Sequence, residues 1–339
     1  MSKIDRIFVN QKYVDRWSDS CFSALPRYLS DHSPIMLKSA SLDYGPTPFR
    51  FYNSWLDVPD FDKVVKELEE SFVFDGPPDI RLAYKLKHFK EGIKQWVKVN
   101  KKSEEVKFES CKSELSLLDE ILEQRDLEEE EEWVRLECIK DLEELEWKKT
   151  KDLRQKSRDK WVSSGDDNTA FFHCLIKHKD LSNKIHGLEI GGRWCTIPNK
   201  VKKEVHRFFK ERFKENWGVR PSLDGGGFKE LSVFEQEALI APFSHSEIKE
   251  AVWDCGSNKA TGPDGFNIKF IKHFWNFLER DWKELVNYFH VKETLDQSFC
   301  SSFIALVPKV KGSTRLEDFR PINFVGVVVK IVSNCWLIE

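Results

Sequence analysis

Three absences narrow the reading of this chain. Charge of one sign is missing: 54 Lys and Arg stand against 57 Asp and Glu, a formal net charge of −3. A globally basic nucleic-acid binder is thereby excluded, and any contact with nucleic acid must be local. Paired thiols are missing as well. The eight cysteines, at positions 21, 111, 138, 174, 195, 255, 300 and 335, include no CxxC pair, which argues against a zinc ribbon and against a secreted disulfide scaffold and for reduced thiols. Finally, there is no long apolar run: MSKIDRIFVN has no apolar signal core, and FVGVVVKIV is short and broken by Lys330. The expectation is a protein of the nucleus or cytoplasm with no membrane partner.

What is present is material for real cores. The 339 residues are 40% apolar, with 12 Trp and 26 Phe, enough for two ordinary domains. The first forty residues read as two strands, IDRIFV and SPIMLKSA, around a loop holding Trp17 and Phe22; a pair this small needs partner strands. From about Arg81 to Phe172 helix formers dominate. Leu115, Leu118 and Leu122 mark one face, and a stripe of Trp133, Leu136, Ile139, Leu142 and Leu145 reaches Trp147, predicting long helices folded back on each other. The acidic run Glu128 to Glu132 suits a helix N-terminal turn.

Further along, Gly165-Asp166-Asp167-Asn168 is a helix stop followed by capping residues, restarting a helix over Thr169 to Lys177. GLEIGGRWCTI reads as a hairpin turning at Gly191-Gly192, followed by a helix over Val205 to Phe213 and a boundary loop at Gly225-Gly226-Gly227. Ser244-His245-Ser246-Glu247 is a capping box opening a helix that buries Ile248, Ala251, Val252 and Cys255. A helix carrying Phe270, Ile271, Phe274, Trp275, Phe277 and Leu278 and a strand FIALVPKV complete an α+β arrangement.

Candidate chemistry sits at three places. Asp5 lies on the first strand and Asp31-His32 opens the second; if the strands pair, a carboxylate could orient the imidazole while another holds a metal. The alternative is that Asp31 caps a turn and His32 bonds locally. Arg154, Lys156, Arg158 and Lys160, before Trp161, form a basic patch suited to phosphate contacts and stacking, or else a solvated face of a core-anchored helix. Lys309 and Arg320 offer a point charge and a fork of the kind a triphosphate requires, or are surface cations on a hairpin.

KIDRIFVN with LSDHSPI, GPTPFRFYNSW, LRQKSRDKWVSSGDDNTAFFH, and KATGPDGF with FIALVPKVKGSTRLEDFRPINFVG occur in an order that resembles plant LINE-type (non-LTR) retrotransposon polyproteins. The resemblance implies four parts. Residues 1–40 would be the C-terminal strands of an endonuclease/exonuclease/phosphatase-like α/β sandwich, and 41–185 a mostly helical connector. Residues 186–241 would be a small hairpin-helix connector, and 242–339 the fingers of a reverse transcriptase. It also implies that Asp5, Asp31 and His32 belong to a Mg²⁺-dependent nicking site, with Asp31 toward the metal, and that Lys309 and Arg320 contact an incoming dNTP. RNA and DNA are the implied partners. The remaining endonuclease residues and the palm carboxylates have no counterpart in this sequence, and SNCWLIE departs from the family's continuation. The expectation is therefore an RNA-directed DNA polymerase relative that is truncated, inactive alone and holds no Mg²⁺ stably; a non-catalytic nucleic-acid-binding remnant and a helical scaffold are the alternatives.

On this reading the purified chain leaves supercoiled plasmid intact in Mg²⁺. Gel conversion to open circles that is abolished by His32→Ala would overturn it.

Overall fold

The computed structural model describes residues 6–17, 20–24, 35–38, 44–158, 169–215, 231–257, 259–310 and 313–337. In chain order these form α1 (Gln11–Arg16), β1 (Cys21–Ala24), β2 (Ile35–Lys38), α2 (Phe61–Ser71), α3 (Pro78–Leu122), α4 (Glu129–Ser157), α5 (Thr169–Asn183), β3 (Leu188–Ile190) and β4 (Arg193–Cys195). There follow α6 (Pro198–Arg212), α7 (Val233–Ile240), α8 (His245–Asp254), α9 (Ile268–His273), α10 (Trp275–Lys292), β5 (Ser302–Pro308), β6 (Phe319–Val325) and α11 (Val327–Cys335). The strands pair as three separate two-stranded sheets, β1-β2, β3-β4 and β5-β6. The fold class is α+β, and no helix among the described residues is long and apolar enough to cross a membrane.

The chain divides into two compact units. One comprises Met1–Thr47, Lys177–Gly226 and Leu306–Ile322; the other comprises Pro48–Ile176, Gly227–Ala305 and Asn323–Glu339. The first has a small core of Leu188, Val201, Leu316 and Phe319, ringed by Tyr44, Ile185, Val205 and Phe208. Its β3-β4 hairpin turns at Gly191 and Gly192, with φ of 58° and 74°, the paired positive values of a two-residue type I′ turn that glycine supplies without steric cost. The helix expected from Val205 begins earlier, at Pro198, because a proline at the first helical position is preset for it and forfeits no hydrogen bond.

The N-terminal pairing differs from expectation. The partner of Ile35–Lys38 is Cys21–Ala24, antiparallel with Phe22 opposite Leu37, not the IDRIFV segment. Arg6–Asn10 carry no strand, Asn10 caps α1 through a 2.8 Å bond from Tyr13 N–H, and Phe8 is 87% exposed. Pairing the nearer segment closes a shorter loop, and the Asn10 cap gives the intervening chain a helix instead.

The second unit holds the large core, in which Phe51, Phe61, Leu82, Phe89, Ile248, Phe270, Trp282 and Ile331 are fully buried. The capping box at Ser244 and Glu247 opens α8 as the sequence suggests, and Ile248, Ala251, Val252 and Cys255 are buried. The single helix expected over Phe270 to Leu278 is two, broken at Phe274, where φ −98° and ψ 26° end α9 and start α10. Cys335 and Trp336 join this core: Cys335 is buried, and the Trp336 ring meets Phe243 and Phe289 edge-on at 4.6 and 4.9 Å.

Helices α3 and α4 run antiparallel, tied by Lys107–Asp141 at 2.8 Å and Glu104–Lys148 at 3.6 Å. The acidic run is the first turn of α4, where Glu128 and Glu131 make a capping box and Arg125 grips Glu131 through two bonds of 2.7 and 2.8 Å. The α4 stripe needs correction, since Leu145 is buried with Cys138 while Trp133, Leu136 and Trp147 are exposed. A step of three residues falls about 60° short of a full turn, so a run spaced by threes winds off the contact face, whereas the seven-residue spacing of Cys138 and Leu145 stays on it. On α3 Leu122 is exposed, and the buried pair, Cys111 and Leu118, is again spaced by seven.

Charge inside this unit is concentrated where α2, α3 and α10 meet. Lys85 and Asp281, both nearly inaccessible, bond to each other; Lys85 also reaches Glu69 at 2.8 Å, and Arg81 reaches Asp281 at 3.2 Å and Glu284. Removing one member of such a network strands the others without water. Asp281→Ala should therefore cost about 3–5 kcal/mol in urea unfolding followed by tryptophan fluorescence. Glu67→Ala, on the exposed Lys63–Glu67 pair, should cost at most about 0.5 kcal/mol; equal effects would contradict the assignment.

Candidate nucleic-acid interface

Segments that the sequence separates by as many as 214 residues converge in the second unit on the turn Gly262-Pro263-Asp264-Gly265. Gly265 takes φ +83°, and a Cβ there would lie 2.5 Å from the Phe49 ring and carbonyl. Only glycine lets PFRFYNSW come this close. Phe51 N–H then donates to the Gly265 carbonyl at 2.8 Å, Phe49 packs edge-on to Phe266 at 5.7 Å, and the Asn267 amide donates to Asn53 Oδ1 at 2.9 Å.

The end of α4 attaches to the same strip. Gln155 Nε2 donates to the Phe51 carbonyl at 2.7 Å, and its Oε1 accepts from Asn53 N–H at 2.8 Å, so one side-chain amide pairs with the backbone as a neighbouring strand would. One turn earlier, Ser54 Oγ donates to Asp152 Oδ1 at 2.5 Å. Burial raises the Asp152 carboxyl above its ordinary range despite that bond.

Asp264 ties the turn to α11. Its Oδ2 accepts from Val327 N–H at 2.6 Å and its Oδ1 from Phe266 N–H at 3.1 Å, so it caps α11 from a distance in sequence. Two lysines brace the turn: Lys330 Nζ donates to the Ala260 carbonyl at 2.5 Å and Lys90 Nζ to the Pro263 carbonyl at 3.1 Å. Asp264 and Lys90 also line a cavity of about 210 Å³ with Leu86, Phe299 and Gly326.

Around this junction cations lie against aromatic rings. Arg158, left-handed at φ 51° where it caps α4, lies over the Phe324 ring at 5.6 Å; Lys156 lies over Tyr52 at 5.3 Å and Arg154 over Phe172 at 5.6 Å. Arg50, Lys156 and Arg158 are exposed, while Arg154 is half-buried. Burial, and then Arg50, push the Arg158 guanidinium below its usual value; burial lowers Lys330, which also meets Lys259 and Arg158, and burial with Lys94 lowers Lys90. Mutually repelling, partly desolvated cations held in place by the fold favour an anion.

The other candidate residues fall elsewhere. Lys309 and Arg320 belong to the other unit, both exposed on the β5-β6 hairpin; Lys309 Nζ donates to the Glu317 carbonyl at 2.6 Å and its N–H to the Asp318 carbonyl at 2.8 Å. Asp5, Asp31, His32, Lys160, Trp161 and the Gly165–Asn168 and Gly225–Gly227 segments lie outside the described residues. Among those that are described, no grouping of three or more His, Cys, Asp or Glu is placed to hold a metal ion. Sequence reasoning misses Arg50 and Asp264, although both lie inside motifs it singles out.

The chain is 25% identical, over 351 aligned positions, to a Xenopus laevis protein described as "Transposon TX1 uncharacterized 149 kDa protein". The alignment covers 98% of this chain and 26% of that protein, so the chain spans about a quarter of the length of the curated relative it matches. No family model matches the sequence.

Burial raises the Asp264 carboxyl above the ordinary aspartate range. The folded state then holds the Asp264 proton more tightly than the unfolded chain, so this group's contribution to stability is complete below the unfolded pKa and is lost as pH rises through the folded one. Urea titrations on the acid side should show that loss in the wild type and its absence in Asp264→Asn; identical pH slopes would exclude it. Asp264→Ala removes the acceptor from two N–H groups and should cost about 2–4 kcal/mol.

Proposed function

We propose, from the similarity to a transposon protein along nearly the whole chain, that this is a reverse-transcriptase-related segment of a LINE-type retrotransposon polyprotein, of the plant kind in its motifs. Its second unit holds RNA or DNA by the phosphate backbone. The observation that carries the reading is the junction at Asp264. PFRFYNSW, the end of α4 and the GPDG turn are the very stretches by which the sequence resembles such polyproteins, and they pack together under a rim of cations.

In this reading Arg50, Lys156 and Arg158 contact phosphates, the arginine forks taking two oxygens each where the geometry allows. Arg154, lying against buried Phe172, positions the helix end. Lys309 and Arg320, exposed on their hairpin, are the residues for a dNTP, and the connector and finger boundaries at 41–185, 186–241 and 242–339 belong to the same proposal, with 1–40 as endonuclease-like strands. A nuclear or cytoplasmic location follows from it. Mg²⁺ would be the metal of the intact family, but the described residues supply no ligand set that fits it.

The second reading, a binding remnant without chemistry, rests on the same rim of cations at Arg50, Lys156 and Arg158. Full-chain binding to RNA and DNA oligonucleotides across a salt series separates the possibilities. Affinity should fall steeply with salt, and Arg50→Glu, Lys156→Glu and Arg158→Glu should each weaken it and reduce the log–log slope by roughly 0.7–0.9 for each phosphate no longer neutralised. Binding that ignores salt, or none at all, would sink both readings. No extension of a primed RNA template is expected from the chain alone; template-directed extension lost in Arg320→Ala would establish a complete polymerase site.

A further inference from the structure

The arm made by α3 and α4 contains a feature that the proposed function does not use. Between the cross-helix pairs Lys107–Asp141 and Asp119–Arg135, Cys111 of α3 and Cys138 of α4 point into the same narrow interior, 7% and 6% exposed. Position 111 lies one turn beyond 107 and position 138 about one turn before 141, so antiparallel packing sets the two opposite each other. Cys111 lies close enough to contribute to raising the Cys138 thiol, and Cys138 Sγ also approaches Glu114 Oε2 at 3.8 Å. Neither is bonded to another cysteine. Elsewhere Cys174 and Cys300 are exposed, while the Cys255 thiol is turned to the Lys330 carbonyl.

We propose that Cys111 and Cys138 form a dithiol site that a peroxide-class oxidant closes into a disulfide, locking α3 to α4. One sulfur attacks a peroxide oxygen: an S–O bond forms, the O–O bond breaks, and the departing hydroxide takes up the thiol proton as water. The second sulfur then attacks the first, an S–S bond forms, the S–O bond breaks, and a second water leaves. Two thiols and one hydrogen peroxide thus become one disulfide and two waters, the sulfurs oxidised by two electrons and the peroxide reduced.

Two physical circumstances favour the pair. Along the outer arm the buried contacts are few, Leu118 and Leu145 being the main apolar ones, so a covalent tie has a large effect on local opening. The chain between the cysteines includes the whole apex of the arm, a loop long enough for the cross-link to restrict the unfolded state substantially. Burial, with Cys111 and Glu114, pushes the Cys138 thiol up to about 11. At neutral pH Cys138 is therefore the protonated thiol, and it reacts more slowly than an exposed one.

The test treats the full chain with hydrogen peroxide and maps peptides by mass spectrometry without reduction. The expected product is a 111–138 linked peptide lighter by two hydrogens, accompanied by slower amide exchange over residues 104–148 and by a higher Tm, both reversed by dithiothreitol. Cys111→Ser and Cys138→Ser should each abolish these changes. Thiols at 111 and 138 that stay free under prolonged peroxide treatment, well after the exposed Cys174 and Cys300 have been fully oxidised, would overturn the proposal, as would disulfides that join other cysteines. The wild-type map alone decides between these outcomes should either variant fail to fold.

Discussion

The carboxylate of Asp264 is the constraint on which the second unit's candidate site depends. Its two oxygens satisfy the N–H of Phe266, within its own turn, and that of Val327, at the start of α11. A helix N-terminus carries unsatisfied donors and partial positive charge, and a buried acceptor at that point answers both needs. By fixing α11 against the GPDG turn, it also fixes Lys330, whose ammonium returns to the Ala260 carbonyl. On its other side the turn takes up Phe51 through Gly265, and through Phe51 the end of α4, held by Gln155. The cations at Arg50, Lys156 and Arg158 owe their grouping to this chain of backbone contacts and not to attraction among themselves, since Arg50 and Arg158 repel.

How much of this is legible in the sequence depends on the range of the interaction. Local signals read true: the Ser244 capping box, the Gly191-Gly192 turn and the acidic first turn of α4 are all settled within a few residues by backbone geometry. The pairing of Ile35–Lys38 escapes a sequence reading because strand choice is a competition between distant segments, and the Asn10 cap that withdraws one competitor carries little weight in a hydrophobicity pattern. The α4 stripe misleads for a different reason. Apolar residues spaced by threes look periodic while turning steadily away from the partner helix, and with charged residues at most other positions the true face, marked by Cys138 and Leu145, is sparse.

The candidate site divides the same way. Arg154, Lys156 and Arg158 are visible as a basic run, but the rings they meet are Phe172, Tyr52 and Phe324, supplied from three other parts of the chain. Asp264 and Arg50 each sit inside a named motif, yet nothing local distinguishes a half-buried carboxylate that caps a distant helix from one in an ordinary surface turn. Global charge gives no help: a near-neutral total conceals a region where cations gather and others, such as the tip of the α3–α4 arm, where carboxylates crowd together.

The dimensions of that arm have a mechanical consequence. At about 1.5 Å per residue, the 45 residues of α3 extend for roughly 65 Å, and the stretch from Glu104 to Leu122 accounts for about 28 Å of that. A rigid rod of such length is a lever: a tilt of about 10° at the base of that stretch sweeps its tip through about 5 Å. The root of the arm is where Lys151 and Gln155 hold the strip from Phe51 to Asp57, so a small readjustment beneath the cations is magnified at the acidic apex.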